Sequence, residues 1–205
     1  MKDFWNTRYK ETEFVYGIHP NEFLRRSLSN LTSVQTALFP AEGEGRNAVY
    51  AATLGIDVVA FDYSEEAKKK ADLLAKQHHV QLDYRIADMA TIELKKSSFD
   101  LLVLVYAHFP PLSRKEWHRK LQSCLKPGGI LLLEGFSKNH LEVSKNNERP
   151  SGPQNIEMLF SRNQLEDDFS NIEIISLKEE EVVLNEGSFH QGSSSVIRLM
   201  GKKRI

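Results

Sequence analysis

Pro40-Ala41-Glu42-Gly43-Glu44-Gly45-Arg46-Asn47-Ala48 separates an apolar run, Val34 to Phe39, that reads as a β-strand from a segment, Asn47 to Leu54, whose Val49, Tyr50, Ala52 and Thr53 suit a helix ended by Gly55. Two glycines in a strand-to-helix turn let the backbone bend sharply and approach a ligand with no Cβ in the way. Gly43-x-Gly45-x-x-Ala48 also satisfies the dinucleotide fingerprint with alanine in its third place, and taken alone it is equally a plain turn. Its meaning comes from the segments C-terminal to it.

Asp57 to Phe61 is a second apolar strand, ending in an acid, Asp62. Ser64 caps the next helix, with Glu65 and Glu66 in its first turn, Ala67, Ala71, Leu74 and Ala75 facing inward and Lys68, Lys69 and Lys70 outward. A third strand, about Gln81 to Ile86, leads into Ala87-Asp88-Met89. The fourth, Leu101 to Tyr106, shows no polar alternation, as expected of a central parallel strand covered on both faces. Ser113 and Glu116 read as a capping box for a helix to about Leu125, before Lys126-Pro127-Gly128-Gly129 and a fifth strand, Ile130 to Glu134. This alternation predicts an α/β fold with a doubly wound, mostly parallel sheet. Such a sheet gathers its strand ends at one ligand crevice, where Asp62 can accept from two ribose hydroxyls and Asp88 from an adenine amino group. A glycine turn and two acids on three successive strand ends point to a nucleoside cofactor.

The remaining segments are less regular. A helix begins after Pro20 with Asn21 as its cap and Phe23, Leu24, Leu28 and Leu31 on its buried face. Ser137 to Gln154 turns to Lys, Asn, Ser, Pro and Gly and reads as a long mobile loop of the kind that forms lids. A second capping box, Ser161 to Gln164, opens a short helix with Leu165 and Phe169. The tail reads as two antiparallel strands, about Ile172 to Leu184 and Ser195 to Met200, joined through a Gly- and Ser-rich connection.

The 205 residues carry 27 Lys+Arg against 28 Asp+Glu, a formal net charge of -1, and are 40% hydrophobic. This fits one domain over 1–205 and leaves little chain for a separate substrate domain. Balanced charge gives nucleic acid no counterion-release term to exploit. The single cysteine, Cys124, can form no internal disulfide or cysteine zinc cluster and points to a reducing compartment. His78-His79 lies at a helix end without metal-ligand spacing, so no metal is expected. The polar, aromatic N-terminus and the shortness of the longest apolar run argue against a signal sequence and a membrane span. The expectation is a cytoplasmic monomer or homodimer with a small-molecule substrate and neither nucleic acid nor membrane as partner.

The order of the Gly-rich turn, Asp62, Ala87-Asp88-Met89, Phe99-Asp100 before strand four, and Leu125-Lys126-Pro127-Gly128-Gly129 resembles a class I S-adenosylmethionine-dependent methyltransferase. Phe4-Trp5-Asn6-Thr7-Arg8-Tyr9, Tyr16-Gly17 and Pro20-Asn21 are similar to the small TehB-like and thiopurine-methyltransferase-like group. The resemblance implies a Rossmann-like, seven-stranded sheet with an antiparallel last strand, and S-adenosylmethionine as cofactor, leaving as S-adenosylhomocysteine. It implies that Gly43 and Gly45 line the methionine part, Asp62 and Tyr63 meet ribose and adenine, and Asp88 and Met89 border the adenine. Ala41, Asn47, Ser64 and Ala90 complete these loops. Val105, Tyr106 and His108 are placed near the methyl-bearing sulfur. Trp5, Arg8, Tyr9 and Tyr16 close over the top as part of a lid formed by residues 1–31, with Arg8 and Tyr16 facing the cofactor carboxylate. Two positions depart from the family's Asp-x-Gly-x-Gly-x-Gly: Phe39 stands at the acid and Ala41 at the first glycine, and Glu42 or Glu44 is the available replacement for the acid.

Methyl transfer from a sulfonium is an in-line displacement that needs alignment and a suitable field but no obligatory nucleophile or metal. His108 is the candidate general base, or else it packs around the cofactor. Arg114 can orient an anionic acceptor or face solvent, and Glu186 and His190 flank the last hairpin. The competing readings are a protein that binds S-adenosylmethionine without transfer, and an NAD-dependent oxidoreductase. The latter lacks a catalytic Tyr-x-x-x-Lys and a second mononucleotide half.

Overall fold

β1 (Thr36–Pro40), β2 (Asp57–Asp62) and β3 (Asp83–Ile86) pair in parallel in the computed structural model, which describes residues 2–205. Pro40 pairs with Phe61 and Asp62 with Ile86, so the glycine turn, the Asp62 carboxylate and the Ala87-Asp88 loop leave the sheet at the same edge. β4 (Phe99–Val105) pairs in parallel with β5 (Leu125–Phe136), and β5 pairs antiparallel with β7 (His190–Lys203). With β6 (Ile172–Glu186) the seven-stranded order is β3-β2-β1-β4-β5-β7-β6, the class I methyltransferase arrangement.

The chain packs as two compact units. The first comprises residues 1–93 with the hairpin tip 186–188 and holds α1 (Lys2–Tyr9), α2 (Glu22–Leu28), α3 (Arg46–Thr53) and α4 (Glu65–Gln77). α4 buries Ala67, Ala71, Leu74 and Ala75, the face its spacing predicts, and Ser64 caps it by accepting from the Ala67 N–H. Asn21 caps α2 by accepting from the Leu24 N–H. Leu24 and Leu28 are buried there, whereas Phe23 and Leu31 stay half-buried.

The second unit comprises residues 94–185 and 189–205 and adds α5 (Pro111–Cys124), α6 (His140–Val143) and α7 (Arg162–Asp168). Leu101 to Leu104 of β4 and Leu131 to Leu133 of β5 are fully buried, as continuous apolar runs require. α7 opens with the expected capping box, the Gln164 side chain accepting from the Ser161 N–H at 3.1 Å. The long edge strand β6 carries Lys178, Glu179, Glu180 and Glu181, charges that discourage edge-to-edge pairing. None of the described helices is long and apolar enough to cross a membrane.

Three expectations need correction. α5 starts at Pro111 rather than Ser113: Pro110 is the N-cap, and a proline in the first turn needs no N–H donor, so Ser113 and Glu116 fall inside the helix. β5, β6 and β7 are all longer than their apolar runs indicate, because ladder pairing extends through the polar ends. The 137–154 segment, expected as a long mobile loop, contains the short helix α6 and buries Ser137, His140, Ser144 and Ser151. His140 Nε2 lies 2.9 Å from the Ser151 carbonyl, and Asn147 Nδ2 donates to the Ser193 carbonyl at 2.9 Å, which ties the segment to β7.

Candidate functional site

The site in the first unit is built on the turn after β1. Gly43 and Gly45 both have left-handed backbones, with φ of 63° and 86°. Their roles differ. A Cβ on Gly45 would meet Ala71 Cβ of α4 at 2.6 Å, so Gly45 permits α3 to pack on α4 rather than meeting a ligand. A Cβ on Gly43 would meet the Tyr9 hydroxyl at 2.7 Å, so Gly43 lets the aromatic arm pack directly on the turn. Ala41 adopts φ 51°, a strained conformation for a residue with a Cβ, at the place where the resemblance expects glycine. Phe39, at the place of the missing acid, is fully buried.

Asp62 ends β2 with both carboxylate oxygens engaged by backbone: Oδ2 accepts from Gly43 N–H at 3.2 Å and Oδ1 from Ser64 N–H at 2.9 Å. Burial pushes this carboxyl up to about 6 against the pull of those donors. Glu44 accepts from Val15 N–H at 3.1 Å, Tyr16 N–H at 3.2 Å and Lys70 Nζ at 2.7 Å, and so anchors the arm that carries Tyr16. Glu42 reaches under α3, where its Oε1 accepts from the Asn47 and Ala48 N–H groups at 2.9 and 2.8 Å.

The arm supplies an aromatic cover. Trp5 stacks on Tyr9 with centroids 5.4 Å apart, and Tyr16 lies 6.4 Å from each ring. Arg8 Nη1 donates to the Tyr16 hydroxyl at 3.2 Å, and the Arg8 guanidinium lies over the Phe4 ring at 4.6 Å. Burial raises the Tyr9 phenol well above its ordinary value, so it stays protonated as a donor. Asp88 is exposed and folds back in an Asx turn, Oδ1 accepting from Ala90 N–H at 2.8 Å, with Met89 buried beside it. Tyr63 is half-buried, and Ala90 is exposed.

Residues 40–129 match a methyltransferase domain.

Structures similar to most or all of the chain share its fold. One comes from work on conversion of a disulfide bond into a thioacetal group during echinomycin biosynthesis, with 17% identity, TM-score 0.79, and 100% of this chain and 92% of that chain covered. A second is a SAM-dependent methyltransferase from Methanosarcina mazei, with 16% identity, TM-score 0.70 and coverage of 91% and 99%. A third is TehB from Haemophilus influenzae, with 16% identity, TM-score 0.71 and coverage of 99% and 67%. No curated protein matches the sequence. The domain match and the fold support S-adenosylmethionine as the cofactor.

The glycine turn fits a nucleoside with a cationic end better than a dinucleotide. A dinucleotide places its pyrophosphate on the helix N-terminus after the glycine turn. Here the Glu42 carboxylate already holds two of the N–H groups at the start of α3, and a second anion there would meet like charge. Of the expected contacts, Gly43, Asp62, Trp5, Arg8, Tyr9 and Tyr16 are brought together. Asn47 and Ser64 have structural partners instead: Asn47 Oδ1 accepts from Asn21 N–H at 2.8 Å, and Ser64 Oγ donates to Asn6 Oδ1 at 2.7 Å while capping α4. Two contributors escape sequence reading. Tyr84 on β3 donates to the Gly43 carbonyl at 2.6 Å, and Asn6 tethers α1 to the α4 cap. Both act across long sequence separations: Asn6 lies in the stretch 4–9 but the resemblance assigns it no role, and Tyr84 belongs to no quoted motif.

In the second unit β4 ends at Val105 and Tyr106. Tyr106 has φ 53°, a strained backbone of the kind that clusters at functional sites. Its hydroxyl donates to Glu134 Oε1 at 3.0 Å, and Glu134, fully buried, is clamped by Arg198, which also binds Glu180 at 2.7 Å. His108 does not have the geometry of a base. Nδ1 lies 2.9 Å from the Met158 carbonyl and must carry the proton, while Nε2 accepts from Phe136 N–H at 3.1 Å. Stacking on Phe160 at 4.5 Å completes its burial, which lowers its pKa to about 4. Arg114, read as an acceptor-orienting or solvated residue, is instead buried against Asp168 at 2.9 Å, beside His118.

Proposed function

We propose that the chain is an S-adenosylmethionine-dependent methyltransferase that methylates a small-molecule acceptor, with thiols and chalcogen oxyanions as the favoured class. The single observation that carries the cofactor half is the glycine turn locked to a buried acid, Gly43 N–H on Asp62, beneath an aromatic and cationic cover. When bound, S-adenosylmethionine supplies a methyl carbon activated by its sulfonium. In this reading Asp62 takes the ribose hydroxyls, Arg8 and Tyr16 the carboxylate, Asp88 and Met89 the adenine edge. Residues 1–31 act as the cover of a single methyltransferase domain spanning 1–205.

Two histidines of the second unit, His108 and His140, bear on the acceptor class. His108 and His140 are each held on both ring nitrogens by backbone groups, so neither offers a lone pair to deprotonate an alcohol or amine. A soft thiolate or oxyanion arrives with its nucleophilic pair already available. A formal charge of -1 adds no electrostatic attraction for nucleic acid. Calorimetry with S-adenosylmethionine, S-adenosylhomocysteine and NAD tests the cofactor, and binding of NAD alone overturns it. Methyl release over thiols, tellurite, selenite and small phenols tests the acceptor. Turnover confined to phenols refutes the soft-nucleophile assignment, and no turnover with tight binding favours a non-catalytic binder.

A further inference from the structure

The tip of the β6–β7 hairpin, residues 186–188, packs within the first unit, far along the chain from the arm it touches. Gly17 of the arm and Gly187 of the tip both have left-handed backbones, with φ of 74° and 61°. A Cβ on Gly17 would meet Gly187 N at 3.3 Å, and a Cβ on Gly187 would run into the Val15 carbonyl oxygen and meet the Tyr16 carbonyl carbon at 2.6 Å. Backbone therefore lies on backbone, with no side chain between the two to absorb a shift. Ser188 N–H donates to the Val15 carbonyl at 2.9 Å, while the Val15 and Tyr16 N–H groups are taken by Glu44 at 3.1 and 3.2 Å. Residues 15–17 are thus held by two partners, the glycine turn through Glu44 and the hairpin tip through Gly187 and Ser188.

The tip has an anchor of its own. Glu186 binds Arg46 Nη2 at 2.7 Å and Asn21 Nδ2 at 3.3 Å, and Asn21 N–H donates to Asn47 Oδ1 at 2.8 Å. Arg46 and Asn47 open α3, the helix that leaves the glycine turn. Both holds on residues 15–17 therefore run back to the same turn. Tyr16 passes the constraint on, because its hydroxyl accepts from Arg8 Nη1 at 3.2 Å. The side chains that this clamp orients, Tyr16 and Arg8, are polar members of the cover.

We propose that Gly187 is a positioning residue for cofactor binding: its backbone seat on residues 15–17 lets the hairpin tip hold Tyr16, and through the Tyr16 hydroxyl Arg8, in the closed cover. The proposal rests on the S-adenosylmethionine reading and deepens it, adding to the cover a segment that acts through Tyr16 rather than on the ligand. Groups set in place before the ligand arrives bind it without a further ordering cost. A tip that is pushed away removes that advantage at the amino-acid end of the cofactor and leaves the nucleoside end as it was.

The test is calorimetry of S-adenosylhomocysteine and 5′-methylthioadenosine with the parent protein, Gly187→Ala, Tyr16→Phe and the double variant. 5′-Methylthioadenosine lacks the amino-acid end that Arg8 and Tyr16 take in this reading, so it reports the nucleoside site alone. Gly187→Ala should lose about 10–100-fold in S-adenosylhomocysteine affinity and no more than about threefold in 5′-methylthioadenosine affinity. In the Tyr16→Phe background the same substitution should cost S-adenosylhomocysteine at least about fivefold less, because the two residues act as one unit. Equal losses for both ligands, an undiminished loss in the Tyr16→Phe background, or parental S-adenosylhomocysteine affinity in Gly187→Ala overturns the proposal. Hydrogen exchange of the parent decides the matter even if Gly187→Ala does not fold. Saturating S-adenosylhomocysteine should slow the Ser188 and Tyr16 amides together, by about tenfold or more, and 5′-methylthioadenosine should slow them less. A Ser188 amide that ignores S-adenosylhomocysteine while the Tyr16 amide is protected overturns the proposal and leaves the nucleoside site standing. A parent that binds neither ligand overturns the S-adenosylmethionine reading as well.

Discussion

Gly43 donates its backbone N–H to Oδ2 of Asp62 at 3.2 Å, joining the turn after β1 to the end of β2. The bond makes the glycine turn and the acid one rigid element, because Ser64 N–H holds the other oxygen at 2.9 Å. The carboxylate is therefore aimed before any ligand arrives. Preorganisation of this kind reduces the ordering cost of binding.

Asp62→Ala should weaken S-adenosylhomocysteine binding by about 1.5–3 kcal/mol for each charged hydrogen bond removed. Asp62→Asn should lose less, since the amide oxygen still accepts from one N–H. Titration calorimetry of the two variants checks this, and unchanged affinity in Asp62→Ala would refute the ribose role.

Ala41 sits at φ 51°, where an L-residue with a Cβ is strained. Ala41→Gly should stabilise the protein by about 0.5–1 kcal/mol, relief of roughly 1–2 kcal/mol of strain being partly offset by the greater unfolded-state freedom of glycine. Urea denaturation measures the change. A lower midpoint at unchanged slope would show that the turn does not strain Ala41.

The elements that sequence reading places well are those whose signal is local. α4 follows from an amphipathic repeat with Ser64 and its two acids at one end, and β4 from an apolar run with both faces buried. α5 is misplaced because two signals compete within four residues, and the proline pair sets the start before the capping pattern can. In the site, Asp62 and Gly43 are legible because strand ends in a parallel sheet converge. The division of labour between Glu42 and Glu44 is not, since it depends on Val15, Tyr16 and Lys70 arriving from elsewhere in the chain. Tyr84 is hidden for the same reason: its partner, the Gly43 carbonyl, is supplied by tertiary packing.

His108 holds the Met158 carbonyl and the Phe136 N–H, so His108→Leu leaves two buried backbone groups without partners. It should cost about 2–4 kcal/mol of stability while the methyl-transfer rate per folded molecule changes by no more than about threefold. The pH dependence has a definite sign. The folded state keeps this imidazole neutral down to about 4, whereas the unfolded chain binds its proton near 6.5, so stability is lost as pH falls from about 6.5 to 4. His108→Leu should remove that part of the acid sensitivity in denaturant titrations. A fall in turnover of about 100-fold with the fold intact would instead restore His108 as the base.

Arg46 and Glu186 form a buried ion pair at 2.7 Å, with side chains 7% and 15% exposed, that clips the hairpin tip to α3. Asn21 Nδ2 also reaches Glu186 at 3.3 Å, and Ser188 N–H donates to the Val15 carbonyl at 2.9 Å. Removing one charge strands the other in a dry site, so Arg46→Met should destabilise by about 3–5 kcal/mol. The double variant Arg46→Met/Glu186→Leu should recover part of that loss, with a coupling of about 1–3 kcal/mol in a double-mutant cycle. Additivity within about 0.5 kcal/mol would show that the pair is not a unit.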